Sequence, residues 1–363
     1  MSPFGYECIG GPYGSVSSIR TYAIKRVVCD EFIAKKAQEV GASLLEEHEV
    51  KACKFINKGK HNSYWEVECT NGELIKGKIL MAADGSNSYI AKNLGIVNEQ
   101  PQAFCSHQYV EGGTHDFKAD GVMIYNKSTL PGYSALFKHY DGDMYLGTYI
   151  LPGGKATSRV IPHFEKELIE NHPYVNDAFT DNYRWHVKSK TAPIRIGGIK
   201  KSYGDHLLII GDAAGQVDPL TGEGIHTAMI AGKIAAETVL QMFSSKTGGD
   251  FSEKSTSVYH RRWVDAFGSD FVWSGLAGRV IYWCPLLLDA TCVVGNKQGQ
   301  LFLDEFGAIM TGVKSKSAFL FNWRNLLLPI TVEIIRQFIL QKIFRKSPLV
   351  PTTIGQSKVD QFS

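Results

Sequence analysis

Residues 211–228, GDAAGQVDPLTGEGIHTA, set a carboxylate and a cluster of glycines between an apolar run and a helical pattern. Leu207, Leu208, Ile209 and Ile210 read as a buried strand that ends at Gly211 and Asp212. The Asp212 carboxylate would therefore leave the carboxyl end of a strand, where open α/β sheets receive ligands, and could accept hydrogen bonds from a sugar-like hydroxyl. Ten residues further on, Gly222-Glu223-Gly224 opens a helix. Small residues there let a ligand approach free backbone N–H groups at the positive end of the helix dipole, so the turn suits a flat group that becomes negative. A reduced isoalloxazine is such a group. A glycine-rich connection can also serve only tight strand-to-helix packing.

Several elements must position this turn. Ile225, Met229, Gly232, Ala236 and Val239 recur at helical spacing and predict a helix of about four turns directly after it. Upstream, residues 22–41 read as a short strand and then a helix, with Asp30 as N-cap, Gly41 as the stop, and Phe32, Ile33, Ala37 and Val40 as the buried face. Asn71-Gly72 between alternating runs predicts a hairpin, and the strand KILMAA (78–83) leads into Asp84-Gly85. A second strand-rich block turns at Asp141-Gly142 and is followed by a polar helix around Ile161–Glu170. From Ser252 the pattern is mostly helical, with a polar tail after Pro348.

Composition excludes several classes of protein. With 363 residues, 44% hydrophobic and 21% charged, the chain is an ordinary globular sequence, and a formal charge of +3 with no arginine-rich stripe disfavours nucleic acid as a partner. Seven cysteines, odd in number and without C-x-x-C spacing, form neither a disulfide framework nor a metal site; Cys8 and Cys29 read as inert thiols in a cytoplasmic setting. His226 reads as a packed or solvated helix residue. The apolar stretches at 276–295 and 326–344 both carry charges, so neither is a clean membrane span. The second could pack on the body or lie on a membrane as an amphipathic surface helix, giving a cytoplasmic protein with peripheral membrane contact through its C-terminal helices.

The run LLIIGDAAGQVDPLTGEGIHTAMIAGKIAAETV closely resembles the second flavin fingerprint of the FAD-dependent monooxygenase superfamily, and within it the geranylgeranyl reductase family. The resemblance covers most of residues 13–285. It implies that Gly211 and Asp212 meet the FAD ribityl chain, that Pro219 lies against the ring system, and that Gly222, Glu223, Gly224 and Ile225 face its pyrimidine end. AADGSNSYIAKNLG (82–95) resembles the family's D-G motif, which puts Asp84 and Gly85 near the FAD pyrophosphate; alone, such a run is also a common polar turn. YAIKRVVCDEFIAKKAQEVGA (22–42) resembles the Y-x-x-x-R-x-x-x-D helix start, which assigns Arg26 to FAD phosphate or ribityl oxygens, a task suited to a fork of donors. Alone, an arginine ahead of a helix is an ordinary surface ion-pair partner. LPGYSALFKHYDGDMYLGTYILPGG (130–154) resembles the substrate-sheet segment, where Tyr133 and Phe137 match aromatics lining an isoprenoid cavity. The family's intervening tryptophan aligns with Ala135 and its following proline with Lys138.

These matches imply a mixed α/β fold. Its Rossmann-like FAD/NAD(P)-binding domain is formed by 1–98 and 201–245, its antiparallel substrate sheet by 99–200, its helical C-terminal region by 246–348, and its loose tail by 349–363. The family's opening strand and G-x-G-x-x-G turn are not found in this sequence, so the expected FAD domain is N-terminally incomplete and binds FAD weakly or not at all. The implied activity is an FAD-dependent oxidoreductase that passes hydride from NAD(P)H to a double bond of a small apolar, isoprenoid-type substrate. No side-chain nucleophile is required, no catalytic residue is assigned and no metal is expected. Two alternatives remain open: a monooxygenase using NAD(P)H and O2, and a non-catalytic form that binds a partner or a membrane.

Overall fold

The computed structural model describes residues 2–3, 5–9, 24–60, 62–112, 121–126, 129–151, 161–172, 175–176, 179, 183–244 and 249–342. The chain divides into two compact units, one built from 25–102 and 193–272, the other from 1–24, 103–192 and 273–363.

The first unit begins with α1 (Arg26–Glu39), β1 (Val50–Ile56), β2 (Tyr64–Cys69), β3 (Leu74–Gly77), β4 (Leu80–Ala82) and α2 (Tyr89–Asn93). The chain returns to it as β10 (Tyr203–Gly204), β11 (Leu207–Ile209), α4 (Ile225–Phe243) and α5 (Glu253–Trp263). Strands β1, β2 and β3 form an antiparallel sheet whose second hairpin turns at Asn71-Gly72. Gly72 has φ +88° there, which a side-chain-bearing residue adopts at a penalty. In the other small sheet β11 pairs with β10 antiparallel and with β4 parallel, Leu207 opposite Leu80 and Ile209 opposite Ala82. Both faces of β11 are buried. Leu207 and Ile209 join Trp65, Ile90 and Val97, whereas Leu208 and Ile210 join Ala231, Ala235, Tyr259 and Trp263. This explains why the strand reads as a continuous apolar run rather than an alternating one.

Two helices differ from the sequence expectation. Helix α1 starts at Arg26 with Lys25 as N-cap, one turn before Asp30. Nothing in Arg-Val-Val-Cys interrupts a helix, and the Arg26–Asp30 pair four residues apart supports the added turn. The helix does stop at Gly41 (φ +103°), where Ala42 N–H bonds back to Ala37 O. Its supposed buried face is open: Ala37 and Ile33 are exposed, and Phe32 and Val40 are 60% and 87% exposed. Of the strand expected just before it, residues 22–23 lie outside the described residues. Helix α4 runs 19 residues, about five turns, and buries Thr227, Ala231, Ala235, Thr238, Val239 and Met242. Of the apolar positions that announced it, Ile225, Met229 and Ala236 are exposed and Val239 is buried. Small alanines and threonines bring the helix close to β11, and the larger side chains turn outward.

The second unit carries β5 (Ala103–Glu111), β6 (Gly121–Ile124), β7 (Gly132–Lys138), β8 (Met144–Ile150), α3 (Ile161–Asn171) and β9 (Arg184–Ile194), with strand order β6-β7-β8-β5-β9. Strands β7 and β8 form the hairpin expected at Asp141-Gly142. One face of the sheet packs Val110, Leu136 and Leu146 on Phe164 and Leu168 of α3. The other carries aromatics: Tyr133 stands 5.8 Å from both Tyr125 and Tyr149, and Phe137 stands 5.8 Å from Tyr145. The chain continues through α6 (Ser269–Trp283), α7 (Leu286–Gln298), α8 (Gln300–Met310), α9 (Ala318–Phe321) and α10 (Leu328–Lys342). Ala290, Val294, Phe302, Ile309, Leu326 and Ile330 form the core of this helical part. The tail expected after Pro348 lies outside the described residues.

Candidate functional site

Because β4 and β11 are parallel neighbours, the Asp84-Gly85 and Gly211-Asp212 motifs emerge side by side at the same carboxyl edge. Ile210 N–H donates to Ala82 O at 2.9 Å, the last rung before both chains turn. Beyond it the Ser86 hydroxyl donates to Asp212 at 3.3 Å and accepts from Arg195 N–H at 3.1 Å. Burial raises the Asp212 carboxyl above the usual aspartate range, against the hydrogen bond from Ser86 and the positive field of Arg26. A desolvated carboxylate with remaining lone pairs is a strong acceptor for an incoming hydroxyl.

The turn after Asp212 is held from within. Gly211 N–H donates to the Gln216 side chain at 2.7 Å, Gln216 donates to Tyr259 Oη at 2.9 Å, and Tyr259 donates to Ile209 O at 3.1 Å. Asp218 accepts from Leu220 and Thr221 N–H, and its own N–H bonds to Glu223 O at 2.9 Å. Gly211 and Gly222 have φ +63° and +70°. Gly224, the N-cap of α4, has no space for a side chain, since a Cβ there would stand 2.8 Å from Val217. Gly224 provides no side-chain cap to α4, and the first amides of a helix have no partner within the helix itself. Ile225, half exposed, follows at the first helical position.

Each remaining candidate has a definite place. The Asp84 carboxylate accepts from Ser88 Oγ at 2.6 Å and Ile90 N–H at 3.0 Å and so fixes the start of α2, while Gly85 turns with φ +79°. Arg26 donates two 3.0 Å hydrogen bonds to Asp30, and the field of Asp212 also favours its charge. Pro219 is buried beside Gly197. His226 is exposed on the first turn of α4. Tyr133 and Phe137 belong to the other unit, half-buried on the aromatic face of its sheet. No group of three His, Cys, Asp or Glu among the described residues could hold a metal ion.

Ser86, Gln216, Tyr259 and Arg195 were not singled out by sequence reasoning. Gly197 and Gly198, with φ +77° and +79°, let the backbone run against the turn, Gly198 N–H reaching Gly215 O at 2.7 Å. Arg195 is thereby buried, its Nη2 donating to Glu99 O at 3.0 Å and its Nε without a hydrogen-bond partner among the described residues. A single arginine between two isoleucines ahead of a Gly-Gly pair was the available signal.

The donor set fits the ring and ribityl portion of a flavin: a half-buried carboxylate, a glycine cradle that a Cβ would fill, and a helix start without a side-chain cap. These features, with a separate antiparallel sheet, define the class, an α/β fold of the flavoprotein type. The structure is similar to that of a geranylgeranyl bacteriochlorophyll reductase-like protein from Thermoplasma acidophilum, with TM-score 0.65 and 17% identity over 95% of this chain and 83% of that one. The chain is 30% identical over 268 residues to digeranylgeranylglycerophospholipid reductase 1 of Methanopyrus kandleri, covering 72% of this chain and 68% of the relative, and it belongs to that reductase family. It is also 37% identical over 332 residues to conditioned medium factor receptor 1 of Dictyostelium discoideum, covering 88% of this chain and 64% of that protein. The chain spans 60 to 65% of the length of this and several other curated relatives. No family profile matches it.

Proposed function

We propose that this protein binds FAD and acts as a flavin-dependent reductase on an apolar, isoprenoid-type lipid. Bound FAD would supply hydride transfer from NAD(P)H to a carbon–carbon double bond. The observation that carries the reading is the placement of Asp212 beside Ser86 at the ends of two parallel strands, in front of the uncapped helix start at Gly224. Asp212 would accept the hydrogen bond of a ribityl hydroxyl. Gly222, Glu223 and Gly224 would let a flat ring lie against backbone, with Pro219 and Ile225 flanking it, and the first amides of α4 would stabilise negative charge at its edge. Arg26 would turn from Asp30 toward phosphate, Asp84 would hold the neighbouring turn and Gly85 would keep it open. Tyr133 and Phe137 would receive the apolar chain of the substrate. The names of the reductase relatives support the substrate class.

The test is purification of the full chain followed by its visible absorption spectrum and anaerobic NAD(P)H oxidation with polyprenyl lipids. Protein-bound FAD and lipid-dependent oxidation are expected. Colourless protein that takes up no FAD overturns the reading, and turnover that requires O2 assigns it to the monooxygenases instead. A second reading, recognition without turnover, is favoured by the name of the Dictyostelium relative; it would be carried by folded protein that binds neither FAD nor NAD(P)H.

A further inference from the structure

Helix α10 is inside out. Ile330 faces the helical core, but the next two turns direct Glu333 and Gln337 inward, at 4% and 1% exposure. Glu333 is fully engaged there. Lys297 of α7 donates to it at 3.1 Å, Arg336 at 2.6 Å and Gln337 at 3.3 Å. Burial alone would raise its pKa; the bonds from Arg336 and Lys297 outweigh burial and hold it below the usual range.

The outward face is correspondingly apolar. Leu328, Val332, Ile335, Phe338 and Ile339 recur at three- and four-residue spacing and are 36% to 56% exposed. Thr331 on the same side returns its hydroxyl to Leu327 O at 2.8 Å. A helix that keeps its acid and glutamine inside and turns large apolar side chains outward is arranged for contact with an apolar medium.

What flanks the stripe identifies the medium. Trp323 is half exposed just ahead of it, with the Arg324 guanidinium 5.3 Å from its ring centroid. In the sequence Lys342, Arg345 and Lys346 follow it, and Glu333 is the sole acid between 323 and 346. An apolar stripe led by an amphipathic indole and a guanidinium, free of outward acids and followed in the sequence by basic residues, complements an anionic bilayer surface. The 15 residues of α10 span about 22 Å, short of a hydrocarbon core of about 30 Å, and no single helix among the described residues is long and apolar enough to cross a membrane. We propose that the outward face of α10, led by Trp323 and Arg324, seats this protein in the plane of an anionic lipid bilayer. The proposal stands on the helical part alone and does not depend on flavin binding.

The test is flotation of the full chain with vesicles of phosphatidylcholine, with and without phosphatidylserine. Wild-type protein is expected to float with the anionic vesicles, and to partition at least tenfold less onto phosphatidylcholine alone or in high salt. Brominated lipid should quench its tryptophan fluorescence, and Trp323→Phe should remove that quenching. Val332→Glu with Ile335→Glu should reduce flotation at least tenfold with an unchanged melting profile. If that pair fails to fold, the quenching and salt dependence of the wild type and Trp323→Phe still decide. Absence of flotation with anionic vesicles overturns the proposal, as does quenching that survives Trp323→Phe. A concentration-dependent dimer dispersed by the two glutamates, without vesicle binding, overturns it in favour of a contact between copies.

Discussion

The Ser86 hydroxyl donates to the Asp212 carboxylate across 126 residues of sequence, at 3.3 Å. Register Ile209 opposite Ala82 in a parallel pair makes this meeting unavoidable, because both chains then turn at the same edge of one sheet. The bond leaves Asp212 half-buried, with its carboxyl pKa raised by burial, and still able to accept more.

Asp212→Asn should therefore separate binding from stability. A carboxyl whose pKa is raised in the folded state adds stability that is fully present below its unfolded pKa of about 3.9 and is lost as pH rises through the folded value. At neutral pH the asparagine variant is expected to melt at or above the wild-type temperature, and the difference should close as the solution is acidified below the ordinary aspartate range. FAD affinity should fall by about tenfold to a hundredfold, the worth of a charged hydrogen bond of about 1.5–3 kcal/mol. Calorimetry across pH and a fluorescence titration of FAD measure the two effects.

Gly224→Ala should act sterically. The new methyl would stand 2.8 Å from Val217 and 3.5 Å from Asp212 Oδ1, so the start of α4 must shift. Overpacking of this kind costs about 1–3 kcal/mol. A lowered urea midpoint together with loss of FAD binding is expected, and a fully stable variant with normal affinity would show that the turn has slack the structure does not display.

Arg26 tests the phosphate assignment. Its exposed pair with Asp30 contributes about 0.3–0.5 kcal/mol, so Arg26→Ala should lower the melting temperature by no more than about 2 °C while weakening FAD about tenfold. Asp30→Asn releases the guanidinium and should strengthen FAD binding. Equal losses in both variants would assign Arg26 to the surface pair alone.

Glu165 offers a test in the second unit. It is buried on α3 and accepts from Ser106, from Gln108 at 3.1 Å and from Ser189 at 2.5 Å; burial raises its pKa despite these bonds. Glu165→Leu orphans three donors at about 1–3 kcal/mol each and should lower the urea-unfolding free energy by at least about 2 kcal/mol. Glu165→Gln keeps an acceptor and lets the serine hydroxyls reverse. It should retain the fold and, by removing a carboxyl whose pKa is raised, reduce the loss of stability that follows as pH rises through the folded value.

Legibility in the sequence followed range. The hairpins at Asn71-Gly72 and Asp141-Gly142, the stop at Gly41 and the turn into α4 rest on local backbone chemistry and were readable. The buried faces of α1 and α4 were not, because apolar spacing announces a helix but does not say which side meets a partner; on α4 alanines and threonines take the close contact and Ile225 and Met229 stay outside. In the candidate site Asp212 and the glycines carried a signal. Ser86, Gln216 and Tyr259 carried none, since a serine, a glutamine and a tyrosine acquire roles only from what they touch.

From its sequence alone this protein could be assigned a strand that ends in a carboxylate, a glycine turn that opens a helix, and membership of the geranylgeranyl reductase family, because each depends on neighbours a few residues apart. Tertiary structure decided that β4 and β11 lie parallel, that Asp212 meets Ser86, that Arg195 is buried behind the turn, and that α10 hides Glu333 while turning Ile335 and Phe338 outward. Those outcomes depend on which surfaces exclude water together, a property of the packed chain that no local pattern encodes.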